Sequence, residues 1–261
     1  MTGPRKLCQE SLIAQASTSV ANFTDAFPSM IHAYVPRNGT IERREISGAE
    51  TIPANAVWVD LLTPTLDEKA QVNQALSIDL PTREEQVEIE PSSRLYQEGE
   101  TLYLTATVLT QADTPNPTSD VLTFILTRRN LVTLRQVDPQ PVAAFGLKLQ
   151  RQPSLGSSAD EALYGLLEAF VDRIADILER LGLELDGLSR AIFDERPTTA
   201  RRRRGERRDL QAILRSLGRA DDIASTARES LHSLSRLGRF LYQATETVTR
   251  KDQKARLNSL A

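Results

Sequence analysis

An α+β fold is predicted for this 261-residue chain: a mixed, largely antiparallel sheet flanked by helices, followed by a long helical hairpin or stalk. Two observations carry that expectation. The first half is a series of short β-branched or aromatic-rich runs separated by turn residues. From about residue 158 onward, apolar residues instead recur at alternating spacings of four and three. With 40% apolar residues, the composition is that of an ordinary globular protein with enough apolar surface to build a core.

Six strands are expected, at "MIHAYV" (30–35), "IERREI" (41–46), "VWVDL" (57–61), "TLYLTATVL" (101–109), "DVLTFILT" (120–127) and "LVTLRQ" (131–136). Asn38-Gly39 and Arg129-Asn130 supply turn chemistry between neighbours, and the last three strands should form an antiparallel meander. Two helices lie between the third and fourth strands. Thr65 with Glu68, and Thr82 with Glu85, have the capping-box spacing, in which the hydroxyl accepts a backbone N–H three residues on and the glutamate reaches back. Ser158 with Glu161 repeats the device at the start of the second half.

After Asp138-Pro139, a short amphipathic segment leads through the linker "RQPSLGSS" to a domain boundary near residue 155. A heptad seam then runs Leu167, Val171, Ile174, Leu178, Leu181, Leu185, Leu188, Ile192. Glu195-Arg196-Pro197 ends that helix. A second seam runs Leu210, Ile213, Leu217, Ala220, Ala224, Ala227, Leu231, Leu234, Gly238, Leu241, Thr245, Val248. At 1.5 Å per residue the second helix would extend up to roughly 96 Å from Thr198 and project well past the N-terminal domain. Its sequence reaches Ala261 with no cap, no proline and no change of composition, as though cut in mid-helix. The expected organisation is an N-terminal tail (1–29), an α/β domain (30–155) and long helices (156–261).

Charge divides the second half. Residues 158–195 carry ten acids against three arginines, and residues 196–261 carry sixteen bases against seven acids, so the two segments should attract each other. The run "RRRRGERR" (201–208) has the electrostatic footprint of phosphate binding, but no aromatic residue accompanies it and a compensating acidic helix precedes it, so no nucleic-acid partner is expected.

The single cysteine, Cys8, excludes an intramolecular disulfide and a thiolate metal cluster, and fits a reducing, cytosolic setting. Residues 1–29 lack the apolar core of a secretory signal, and no window approaches the ~18 consecutive apolar residues of a membrane span. His32 and His232 stand alone, without a ligand partner at metal spacing. No nucleophile elbow, phosphate loop, dinucleotide fingerprint or zinc-protease motif occurs, so neither an enzyme nor an organic cofactor is expected. Trp58 and Asp60 read as a buried strand running into a capped turn, with Asp60 satisfying a turn N–H.

The stretch "LPTREEQVEIEPSSRLYQEGETLYLTATVL" (80–109) places Glu84, Glu85, Glu88 and Glu90 between a threonine cap and a Pro-Ser-Ser turn. For Glu85 the capping role comes first; a hard divalent cation is the other use of such carboxylates.

Taken with "VWVDLLTPTLDE", "FILTRRNLVTLR", "ADEALYGLLEAFVDRIADILERLGLELDGLSRAIF" and the long heptad helix, that stretch resembles the cytoplasmic part of the CorA family of divalent-cation channels and transporters, which includes the ZntB zinc transporters. The similarity covers roughly residues 30–261. It implies a soluble regulatory domain of a magnesium or cobalt transporter, or alternatively of a ZntB-like zinc transporter, that senses intracellular cation at subunit interfaces. It also implies a homopentamer on the cytoplasmic face of the inner or plasma membrane, with a stalk leading to transmembrane spans beyond Ala261. Anchored on "SSRLY", it places a regulatory Mg²⁺ carboxylate at Glu85 with Glu84 adjacent, Co²⁺ and Zn²⁺ being the other ions of the family. This chain has glutamate where the best-known pattern has aspartate, and the stalk-side partner has no assigned position here. The heptads alone support a soluble coiled-coil scaffold equally well.

Overall fold

The computed structural model describes residues 29–193, apart from 49, 89 and 115, and residues 203–245. The N-terminal tail, Cys8, Arg201, Arg202 and Val248 lie outside the described residues. Among those described, the elements begin with β1 (Met30–Arg37) and β2 (Thr40–Ile46), a hairpin closed by Asn38 and Gly39 at φ of 50° and 80°. Positive φ at both loop positions is what a right-twisted two-residue turn requires, and Asn-Gly meets it at least cost. Next come β3 (Trp58–Leu62), α1 (Leu66–Leu76), α2 (Arg83–Val87), α3 (Pro91–Arg94), β4 (Leu95–Glu98), β5 (Thr101–Thr110), β6 (Thr118–Leu126) and β7 (Leu131–Arg135). The last helices are α4 (Gln140–Arg151), α5 (Ala159–Phe193) and α6 (Arg203–Thr245), with a 3-10 turn at Pro153–Gly156.

The seven strands form one sheet in the order β2-β1-β3-β7-β6-β5-β4. β5, β6 and β7 make the expected antiparallel meander, and β3 pairs with β7 in parallel, the one parallel pair among the described residues. The fold is therefore the predicted α+β class with a mixed, largely antiparallel sheet. β4 is an addition to the expected strands. It has only four residues, none of them buried, so no alternation marks it in the sequence. It is held by the turn at Gly99 and by Tyr96 stacked on Tyr103 at 4.7 Å.

Each face of the sheet has its own core. One face carries Trp58, Leu104, Phe124 and Leu131 and packs against Phe145 of α4, Tyr164 and Phe170 of α5, and Leu237 and Leu241 of α6. The other carries Ile31, Val59, Leu61, Ile125 and Leu134 and is covered in part by Val72 of α1. Gly165 allows α5 to seat on α4, since a Cβ there would stand 2.5 Å from the Phe145 ring.

The helical seams differ in detail from the expected heptads. On α5 the buried line is Phe170, Ile174, Ile177, Leu181, and Leu178 and Ile192 are 36% and 45% exposed. On α6 it is Ala220, Ile223, Ala227, Leu234, Leu237, Leu241, while Leu210 and Leu217 are exposed. The reason is that each helix must also face a sheet, and a sheet-facing stripe runs at 3.6 residues per turn rather than the 3.5 of a two-helix seam.

The expected projection toward Ala261 falls in part outside the described residues; within them, the C-terminal half of α6 lies on the N-terminal domain. β4 covers β5 only from Thr101 to Leu104. Further along β5, the Thr107 N–H donates to Ser233 Oγ of α6 at 2.9 Å, so the helix closes an edge that would otherwise be open for pairing. Exposure rises toward the distal half of the hairpin, along residues 182–190 of α5 and 210–218 of α6.

Candidate functional site

The acidic stretch lies on α2, a helix of only five residues that local side chains must hold in place. Both halves of the capping box form: Glu85 N–H donates to Thr82 Oγ1 at 3.3 Å, and Thr82 N–H donates to Glu85 Oε2 at 2.8 Å. The Thr65–Glu68 box at the start of α1 closes in the same way. At Ser158, the hydroxyl accepts the Glu161 N–H at 3.2 Å.

α2 is also tied to the sheet. Gln86 is 1% exposed and its amide donates to Thr123 Oγ1 at 2.8 Å, within a buried pair formed by the Thr105 and Thr123 hydroxyls. Arg83 pairs with Asp120 of β6 at 2.5 Å. Just downstream, Arg94 of the "SSRLY" block donates to the Glu88 carbonyl and to Thr107 Oγ1. From α1, the Lys69 ammonium donates to the Pro81 carbonyl at 3.2 Å. The Pro81–Thr82 peptide unit is thus held at its carbonyl by a cation and at its N–H by the Glu85 carboxylate. Burial lowers the pKa of Lys69, an effect opposed by the nearby Glu84 and Glu85.

With Gln86 turned inward, Glu84 and Glu85 are left exposed on the outer side of α2. Oε2 of Glu85 accepts from the cap, and the residue is exposed, as is Glu84 beside it. Their carboxylates are hard oxygen donors of the kind Mg²⁺ takes while keeping several waters. Among the described residues, no three His, Cys, Asp or Glu side chains come together as a metal-ligand set. One chain therefore offers part of a coordination shell, which fits a hydrated cation shared with another surface better than a closed structural site.

Asp60 has a different role from the expected turn cap. It is 2% exposed, and its two carboxylate oxygens accept Arg135 Nε at 3.0 Å and Nη2 at 2.8 Å, with Thr133 Oγ1 at 2.6 Å. Arg135 continues to Asp138 Oδ1 at 2.7 Å and to the Val137 carbonyl at 2.8 Å. Trp58 Nε1 donates to Thr133 Oγ1 at 3.0 Å. This network locks the parallel β3–β7 pair and commits the Asp60 carboxylate, buried and with donors on both oxygens, to the fold. The signal in the sequence was a lone acid in the apolar run "VWVDLL" and a lone base closing "LVTLR".

His32 is buried beside Asp60 in register and lies 2.7 Å from Arg43 through Nε2. A guanidinium only donates, so Nε2 accepts and the imidazole is neutral. Burial, and then Arg43, lower its pKa. His232 is exposed on α6.

Comparison with known proteins places these features in a family. Residues 53–260 match the model of the CorA-like Mg²⁺ transporter protein. The magnesium transport protein CorA of Wolinella succinogenes is 24% identical over 208 residues, covering 77% of this chain and 61% of that protein. Its Escherichia coli namesake is 27% identical over 165 residues, covering 63% of this chain and 52% of the relative. The chain thus matches between half and two thirds of the length of these relatives. Among solved structures, the CorA magnesium transporter from Methanocaldococcus jannaschii superposes with a TM-score of 0.64 at 10% identity, covering 89% of this chain and 68% of that one. The ZntB cytoplasmic domain from Vibrio parahaemolyticus superposes with a TM-score of 0.59 at 12% identity, covering 90% and 88%. At these identities the structural likeness supports the fold, and the sequence match over 53–260 assigns the chain to the CorA-like Mg²⁺ transporter family.

Proposed function

We propose that this chain is the cation-sensing, gating domain of a CorA-type transporter, facing the cytoplasm in a homopentamer whose membrane spans follow Ala261. Mg²⁺ is the favoured ion, with Co²⁺ as its congener. The observation that carries this reading is the build of α2: a short helix fixed to the sheet by Thr82, Arg83 and Gln86 that leaves Glu84 and Glu85 outward. Fixed carboxylates on a surface are suited to bridging a hydrated divalent ion to a neighbouring subunit. Occupancy offsets the repulsion between acidic surfaces and favours one arrangement of the subunits; loss of the ion releases it. Among the described residues no helix is long and apolar enough to cross a membrane, so the pore itself is sought elsewhere in the full-length protein.

A second reading, a ZntB-type zinc transporter, has the superposition on a ZntB cytoplasmic domain in its favour. Both are tested by metal flux into vesicles containing the full-length protein, with the cation varied on the side of this domain. The expected result is Mg²⁺ flux that falls as the cation rises. In the variant carrying Glu84→Ala and Glu85→Ala, the concentration needed should rise by at least about tenfold, as for loss of one or two charge-assisted contacts. Flux indifferent to that cation would overturn the sensing role, and flux of zinc alone would establish the second reading.

A further inference from the structure

Arg83 and Lys69 both tie α2 to its surroundings, and they differ in what their charge is left to do. Arg83 meets Asp120 of β6 in an ion pair at 2.5 Å, so its charge is compensated locally. Lys69, half-buried on α1, is in no ion pair among the described residues and gives its hydrogen bond to the Pro81 carbonyl at 3.2 Å. The next N–H along the chain, that of Thr82, donates to Glu85 Oε2 at 2.8 Å. The Lys69 ammonium and the Glu85 carboxylate therefore grip the two ends of one peptide unit. The bond lengths of that unit put the two charged groups no more than roughly 8 Å apart. Pro81 between them is buried, so the path that joins them is only partly screened by water. Glu84 is part of the same balance: burial lowers the Lys69 pKa, and Glu84 and Glu85 both oppose that lowering.

We propose that Lys69 is a positioning residue that sets the threshold of the cation sensor, its fixed charge behind Glu84 and Glu85 making the site fill only at a higher divalent concentration. The inference rests on the sensing role proposed for those two glutamates and adds what tunes it. On a helix of five residues, two adjacent carboxylates repel each other when the site is empty. Lys69 offsets part of that repulsion permanently and also repels an arriving divalent ion. Both effects disfavour the filled state relative to the empty one. At this separation, removing the charge of Lys69 should be worth about three- to tenfold in ion concentration. The effect depends on charge and distance, not on coordination preference, so it moves the thresholds for Mg²⁺ and Co²⁺ by the same factor and gives no selectivity between them.

The test is the Mg²⁺ midpoint for protection of the full-length protein from limited proteolysis at fixed ionic strength, repeated with Co²⁺. Lys69→Met keeps an apolar stem and removes the charge, Lys69→Gln also keeps an N–H donor for the Pro81 carbonyl, and Lys69→Arg keeps the charge. The first two should lower both midpoints by the same factor of about three to ten, less at high salt, and Lys69→Arg should stay within about twofold of the parent. Where Glu84→Gln and Glu85→Gln are already present, Lys69→Met should neither restore nor shift protection. A midpoint unchanged or raised in Lys69→Met, beside lost protection in the double glutamine variant, would overturn the inference and leave the sensing role standing. So would a fall in Lys69→Met that Lys69→Gln does not share, which would make the Pro81 hydrogen bond, and not the charge, responsible. A double glutamine variant protected like the parent would overturn the sensing role, and this inference with it.

Discussion

Asp60 on β3 and Glu85 on α2 are both acidic, and their surroundings separate them completely. Asp60 is 2% exposed and its two oxygens are filled by Arg135 and Thr133. Glu85 gives one oxygen to its own helix cap and is exposed, beside an exposed Glu84. What marks a place for a cation is therefore unused carboxylate capacity held on a fixed support, not acidity as such. In this protein the buried acid belongs to folding, and the exposed pair is the one proposed to meet a cation.

The largest effect that would break this contrast is expected at Arg135. Replacing it by Met leaves Asp60 as an unpaired buried carboxylate, and stability measured by denaturant unfolding should fall by about 3–5 kcal/mol. A loss below about 1 kcal/mol would mean that water reaches Asp60 and that its capacity is not filled. The support of α2 is the next target. Gln86→Ala removes the amide bonded to Thr123 inside the sheet and should cost about 1–2 kcal/mol. It should also weaken any cation effect, because Glu84 and Glu85 lose their anchor without being altered.

A smaller, pH-dependent effect belongs to His32. Its folded pKa is lowered below 6.5 by burial and then by Arg43 and Arg135, against the opposing pull of Asp60 and Glu45. The unfolded chain therefore takes up the proton first. Stability is full above about pH 6.5 and is lost as the pH falls from there toward the lowered folded value. His32→Gln should flatten that part of the curve, read from midpoints of unfolding at pH 7.0 and 5.5. An unchanged slope would show that carboxylates alone carry the acid response.

Local chemistry was legible in the sequence, and non-local chemistry was not. The capping boxes of Thr65 and Thr82 span three residues and form as their spacing indicates. Six strands and the meander were likewise legible, since period-2 patterning is a property of the segment itself. The Asp60–Arg135 pair joins residues 75 apart, through a parallel β3–β7 pairing that no short window encodes. The seam positions failed for a related reason: a heptad assumes one partner helix, and Ile177 rather than Leu178 is buried because α5 also packs on a sheet. The location of Glu84 and Glu85 was legible. Their outward exposure follows from Gln86, whose partner Thr123 lies 37 residues away.

The central claim, that Glu84 and Glu85 hold a cation which stabilises one arrangement of the assembly, is tested most directly by limited proteolysis of the full-length protein across a Mg²⁺ titration. The parent should become protected as Mg²⁺ rises. The variant with Glu84→Gln and Glu85→Gln keeps a side-chain oxygen for the α2 cap, so its thermal midpoint without Mg²⁺ should stay close to the parent's, and it should lose the protection. Protection that follows the same Mg²⁺ curve in parent and variant would contradict the account.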